Sequence, residues 1–147
     1  MKAVTSKWFI CTIAYEKTCE DGLQKNVKEL YVVDALSFAE AEKRVTEEMA
    51  NYISGVFGVV EIDAAPFSEI FIDDEHQADY WYKAKLKFIT IDERNEKEKL
   101  TTVNYLVQAS SFEAANKNIK QVMDKTMIDY VVSSVTETKI VDVFGHE

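Results

Sequence analysis

The chain has 147 residues, of which 47% are hydrophobic and 12% aromatic, and it carries a formal net charge of −9. That composition supplies a buried core for one compact unit, and one proline with four glycines leaves little for disorder. The acidic balance repels a bare phosphate backbone on average, which argues against coating of DNA by the whole surface but not against a local basic groove.

No apolar stretch of a secretion signal opens residues 1–6, and no apolar run approaches the length of a membrane span. The expectation is a cytoplasmic protein with no membrane partner, in which Cys11 and Cys19 stay reduced.

The first expected strand covers residues 8–15, where Phe9, Cys11, Ile13 and Tyr15 share one face. Residues 16–28 are polar and contain Asp21-Gly22, a hairpin turn pair. Residues 29–36 return as a second strand. The hydrophobic period then lengthens from two to about 3.6. Ser37 reads as a helix N-cap, with Glu40 completing a capping box, and Phe38, Ala41, Val45 and Met49 follow at helical spacing. Ser54-Gly55 and Gly58 mark a loop. Residues 59–64 and 68–72 read as two more strands, with Ala65-Pro66 between them, because proline suits a turn or a sheet edge. Residues 73–79 form a short acidic linker.

The pattern then restarts. Trp8-Phe9 is matched by Trp81-Tyr82, residues 31–38 by residues 105–112, and Ile70-Phe71 by Val143-Phe144, at offsets of 73 or 74. A near-constant offset over half the chain is an internal duplication. The second helix is expected from Ser111, with Phe112, Ala115, Ile119 and Met123 on its apolar face, and the last two strands at residues 131–137 and 140–144. One such unit of roughly seventy residues is near the lower limit for folding alone. The expected fold is therefore α+β: two pseudo-symmetric ββαββ repeats, about 7–72 and about 80–145, with antiparallel sheets each carrying one packed helix, in a single compact domain over residues 1–147.

A residue present in both copies serves the fold first, so differences between copies are where function is sought. In the second copy Lys83, Lys85 and Lys87 share a strand face with Trp81, and Lys97 and Lys99 stand on the neighbouring strand. A lysine row beside a tryptophan can grip phosphates while the ring stacks on a base. The plainer reading is a solvated face that blunts a sheet edge, partly neutralised by Asp92, Glu93, Glu96 and Glu98. The matching face of the first copy, with Trp8, Ile10, Thr12 and Ala14, is far more apolar and suits a protein contact, either with the other repeat or with a second subunit. Trp8 and Trp81 occupy equivalent positions, which makes them strand anchors before they are an aromatic clamp.

Asp73, Asp74, Glu75, His76 and Asp79 lack the glycine and terminal glutamate of a calcium loop. Two cysteines and two histidines, His76 and His146, are too scattered for zinc. Cys11 aligns with Ala84 and reads as core, because a nucleophilic role would need His76 or His146 brought beside it. No phosphate loop, nucleophile elbow or zinc-protease motif is present in the sequence. No cofactor and no metal are expected.

The segment from Tyr31 to Ala41, the opening Trp8-Phe9, the closing Ser68-Glu69-Ile70-Phe71 and the restart Trp81-Tyr82-Lys83 resemble an uncharacterised domain-of-unknown-function family. Its members are small proteins encoded by Bacteroides-type gut anaerobes and their phages and mobile elements. The resemblance covers nearly the whole chain. It implies an intracellular, phage- or prophage-linked setting, and it carries no catalytic residue to any position here.

The expected function is that of a non-enzymatic accessory protein acting through protein–protein contact or self-assembly, with Trp8, Ile10 and Thr12 as its interface. The alternative is a nucleic-acid or nucleotide binder using Trp81, Lys83, Lys85 and Lys87. An enzyme would announce itself by a deep pocket holding His76 with two carboxylates.

Overall fold

A computed structural model of the protein describes residues 2–4 and 6–145; His146 lies outside the described residues. The element order is β1 (Lys2–Val4), β2 (Trp8–Thr18), β3 (Gln24–Asp34), α1 (Phe38–Met49), β4 (Phe57–Ala64), β5 (Glu69–Ile72), β6 (Tyr80–Ile91), β7 (Glu98–Ala109), α2 (Phe112–Asp124), β8 (Asp129–Glu137) and β9 (Ile140–Phe144). This is the α+β duplication expected, with each ββαββ run carrying one helix. The hairpins are longer than their apolar cores, because the ladder continues through polar pairs to Thr18↔Gln24 and Ile91↔Glu98. Asp21-Gly22 makes the first turn, with Gly22 at φ +83° and the Asp21 carboxylate accepting from the Leu23 N–H. The short strand β1 was not anticipated.

Both helices start as their sequences require. Ser37 accepts from the Glu40 N–H at 3.1 Å, and Glu40 reaches back to the Leu36 N–H. Ser111 accepts from the Ala114 N–H at 3.1 Å. Ala41, Val45 and Met49 of α1 are buried with Phe9, Cys11, Ile13 and Val33. Ile119 and Met123 of α2 are buried with Ala84, Leu86 and Val107.

The pairing of the sheets departs from two self-contained repeats. Sheet order is β4-β2-β3-β9 in one and β1-β5-β7-β6-β8 in the other. The last strand of each repeat thus completes the other repeat's sheet. Strand β5 pairs with β7 through Ile70↔Leu106, and β9 pairs with β3 through Val32↔Val143. Both of these pairings are parallel, so each sheet is mixed; every pairing inside a repeat is antiparallel, as expected. A four- or five-residue strand at the end of a connection cannot reveal its partner, because alternation specifies a face and not a neighbour.

The chain accordingly divides into two compact units. One holds β1 with Phe67–Thr138, and the other holds Ser6–Pro66 with β9. Edge strands β4 and β8 carry a bulge at equivalent places, opposite Thr12/Ile13 and Lys85/Leu86. A bulge repeated in both copies is a device of the fold that discourages further strand addition.

Candidate functional site: a groove at the hairpin end of the first repeat

The far end of the β2–β3 hairpin and the loop entering β4 enclose an open groove of about 950 Å³. Its walls include Tyr15, Asn26, Lys28, Val56 and Phe57, with Glu16 beside them. Val56 is 94% exposed, an apolar side chain held out into solvent.

Behind Tyr15 the two copies part company. Tyr31 donates its hydroxyl to Glu29 at 3.1 Å, and Glu29 also interacts with the Tyr15 hydroxyl. Both phenols are pushed upward, first by burial and then by that carboxylate, so they stay protonated donors. The corresponding residues of the second repeat are Phe88, Val103 and Tyr105, packed as an apolar cluster. A carboxylate on the helix-facing side of a sheet costs stability unless it is hydrogen-bonded; here two tyrosines supply the bonds. The signal was present in the sequence, as Glu29 against Val103 across the repeat.

A second copy difference sits beside each helix. Arg44 of α1 forms an ion pair with Asp34 and donates to the Asp34 carbonyl at 3.0 Å. The equivalent residues are Asn118 and Gln108. Asn118 donates to the Gln108 carbonyl at 3.0 Å and to Asp73 at 3.3 Å, and Gln108 accepts from the Asp73 N–H and donates to the Ala78 carbonyl. The start of the acidic linker is therefore tied down and not simply hydrated. Asp73 is buried, which alone would raise its carboxyl, but N–H bonds from Glu75 and His76 outweigh burial and lower it.

His76 Nδ1 lies 3.2 Å from Asp73, and a cavity of about 380 Å³ is lined by both residues and by Glu113. The cavity thus holds His76 together with two carboxylates. The His76 side chain is 68% exposed, so nothing excludes water from the imidazole. Among the described residues no cluster of ligands suited to a metal ion forms. Cys11 is buried and its thiol is pushed up to about 11 by burial, an inert core group as its alignment with Ala84 indicated.

Trp81 is 3% exposed, so it offers no face for stacking. Lys85 is exposed while Lys83 and Lys87 are half-buried. Across β7 and β8 the three lysines meet Leu106, Asn104, Thr102, Thr136, Ser134 and Val131, none of them acidic. The ion pairs among the described residues involve none of the three. Trp8 is also 3% exposed and its indole N–H has no hydrogen-bond partner among the described residues; Ile10 and Thr12 are half-exposed, opposite Asp63 and Glu61 of β4.

Fold and site together define a duplicated α+β protein in which the last strand of each repeat joins the other repeat's sheet, with an open groove at the hairpin end of the first repeat. The family model described as Domain of unknown function (DUF4494) matches residues 7–146, and the chain belongs to that family. No curated protein and no solved structure matches the chain.

Proposed function

We propose that this is a non-enzymatic accessory protein that works by protein–protein contact or self-assembly. The proposed setting is cytoplasmic, from the lack of an apolar leader at residues 1–6 and the two cysteines, and phage- or mobile-element-linked, from the family resemblance alone. No helix among the described residues is long and apolar enough to cross a membrane. The observation that supports the reading is the open groove of the first repeat with Val56 on its rim. Small-molecule sites are largely closed around their ligand; an open trough mixing apolar walls with one lysine and one glutamate suits a segment of protein. Ile10 and Thr12 offer a second half-exposed patch on the same repeat.

A photo-crosslinking residue placed at Val56 is expected to capture a partner chain or a second copy, whereas the same group at exposed Lys99 captures neither. The substitution Val56→Asp is expected to weaken the captured contact by roughly ten- to a hundredfold, from losing one buried valine. Equal capture at both positions would remove the groove from consideration.

The second reading, nucleic-acid binding, is favoured by the three lysines facing uncharged neighbours. With Trp81 buried, it reduces to an electrostatic grip without stacking. Lys85→Glu is then expected to weaken binding of a short single-stranded oligonucleotide and to flatten its salt dependence by about one counterion. Unchanged binding in a salt titration would show that this strand is not the site.

A further inference from the structure

We propose that the sheet face along β6 holds the phosphate chain of a single-stranded nucleic acid. Lys83, Lys85 and Lys87 supply the charge, and neutral side chains flanking them on β7 and β8 supply further hydrogen bonds. The inference rests on the nucleic-acid reading above and deepens it, naming the form of nucleic acid and the flanking groups that hold it.

The observation that carries it is a change at matching places in the two sheets. In the first repeat Ile10 and Thr12 of β2 stand opposite Asp63 and Glu61 of β4. In the second repeat Lys83 and Lys85 take those two positions, and their β8 partners are Thr136 and Ser134. The other flank changes in the same sense, from Leu30 opposite Thr12 to Asn104 opposite Lys85. Lys87 lies opposite Thr102. A lysine row that only solvated the sheet would gain from cross-strand carboxylates, and the first repeat carries carboxylates at those very places. The second repeat gives its lysines hydroxyl and amide neighbours instead, groups that bond phosphate oxygens alongside lysine. Among the described residues these four neutral side chains are not hydrogen-bonded within the chain.

Geometry selects a single strand. Successive lysines on one strand face stand about 6.7 Å apart, twice the rise per residue, which is close to the reach of one extended nucleotide. A straight row can follow one phosphate chain, whereas a duplex winds both of its chains away from the row. By register the acids on this face nearest the row are Asp129, opposite Ile89, and Glu98, opposite Ile91, both beyond Lys87. They close the row at that end and limit the footprint to about three phosphates, one per lysine. At physiological ionic strength charges farther away than about 8 Å are largely screened, so the net charge of −9 acts weakly on a phosphate seated here. With Trp81 buried, no indole stacks on a base, and the grip is independent of sequence.

The test is fluorescence anisotropy of a short labelled oligothymidylate titrated with the full chain over a range of salt concentrations. Binding is expected with a log–log salt slope of about −2, from about three phosphates. Lys85→Gln should weaken it by about five- to tenfold and shrink the slope by about 0.7. Ser134→Glu with Thr136→Asp restores the acids of the first repeat at two exposed positions, and should abolish binding with all three lysines in place. Lys99→Gln removes the same charge from the same sheet, but Lys99 pairs with Thr90 and so lies on the opposite face; binding should not change. If the chain binds no oligothymidylate even at low salt, the nucleic-acid reading and this inference fall together. If it binds, but Lys99→Gln weakens it as much as Lys85→Gln or the restored acids have no effect, the reading survives on another surface and this inference is overturned. Equal affinity for a duplex of the same length overturns it too, as does binding to phosphatidylserine vesicles in place of the oligonucleotide.

Discussion

Replacing Phe71 by alanine is expected to lower stability by about 3–5 kcal/mol and to loosen the second repeat, although Phe71 belongs by sequence to the first. Strand β5 carries this ring into the core under α2, where it is 3% exposed and meets Tyr105 edge-on at 5.0 Å. Removing a buried phenyl group forfeits its transfer energy and leaves a cavity that neighbours fill only in part. Denaturant unfolding measures the total loss. Native-state hydrogen exchange locates it, and protection should fall first in β6, β7 and α2. A loss concentrated in β2, β3 and α1 would mean that β5 stays with its own repeat.

The second large effect concerns Arg44. Its side chain is 16% exposed and its partner Asp34 is 8% exposed. Arg44→Ala removes the guanidinium from Asp34, which keeps the Ser6 hydroxyl at 3.5 Å among its partners. Breaking one side of a mostly buried pair is expected to destabilise by about 2–4 kcal/mol, measured by urea unfolding. The second repeat shows a neutral solution at the same place, Gln108 with Asn118. The double change Asp34→Gln with Arg44→Asn should therefore recover roughly half of the loss through non-additivity of neighbouring sites. A double variant no more stable than Arg44→Ala would show that the charge pair is not what this corner requires.

The duplication was legible because it is written in residue identities: Trp8 and Trp81, Ser37 and Ser111, Met49 and Met123 recur at nearly constant offset. Hairpins and helices were legible because period two and period 3.6 are local properties. The burial of Cys11 followed from its alignment with Ala84. The Tyr15, Glu29 and Tyr31 cluster had a readable trace in the same alignment, but only the packing shows the carboxylate bonded by tyrosines behind the groove. The lysine row was legible as a row. That Trp81 is withdrawn from solvent was not, because a strand's second face can be covered or open with the same sequence.

What the sequence by itself determined is therefore the set of elements, their order, their apolar faces and their twofold repetition, all of which arise from interactions within a few residues. What only the tertiary structure decided is the destination of β5 and β9. Each is short and mostly apolar, and each would satisfy the edge of either sheet by its backbone hydrogen bonds alone. The choice rests on contacts distant in sequence: Phe71 against Tyr105 in one sheet, Phe144 against Tyr31 and Tyr52 in the other. Those contacts form only once both repeats are in place.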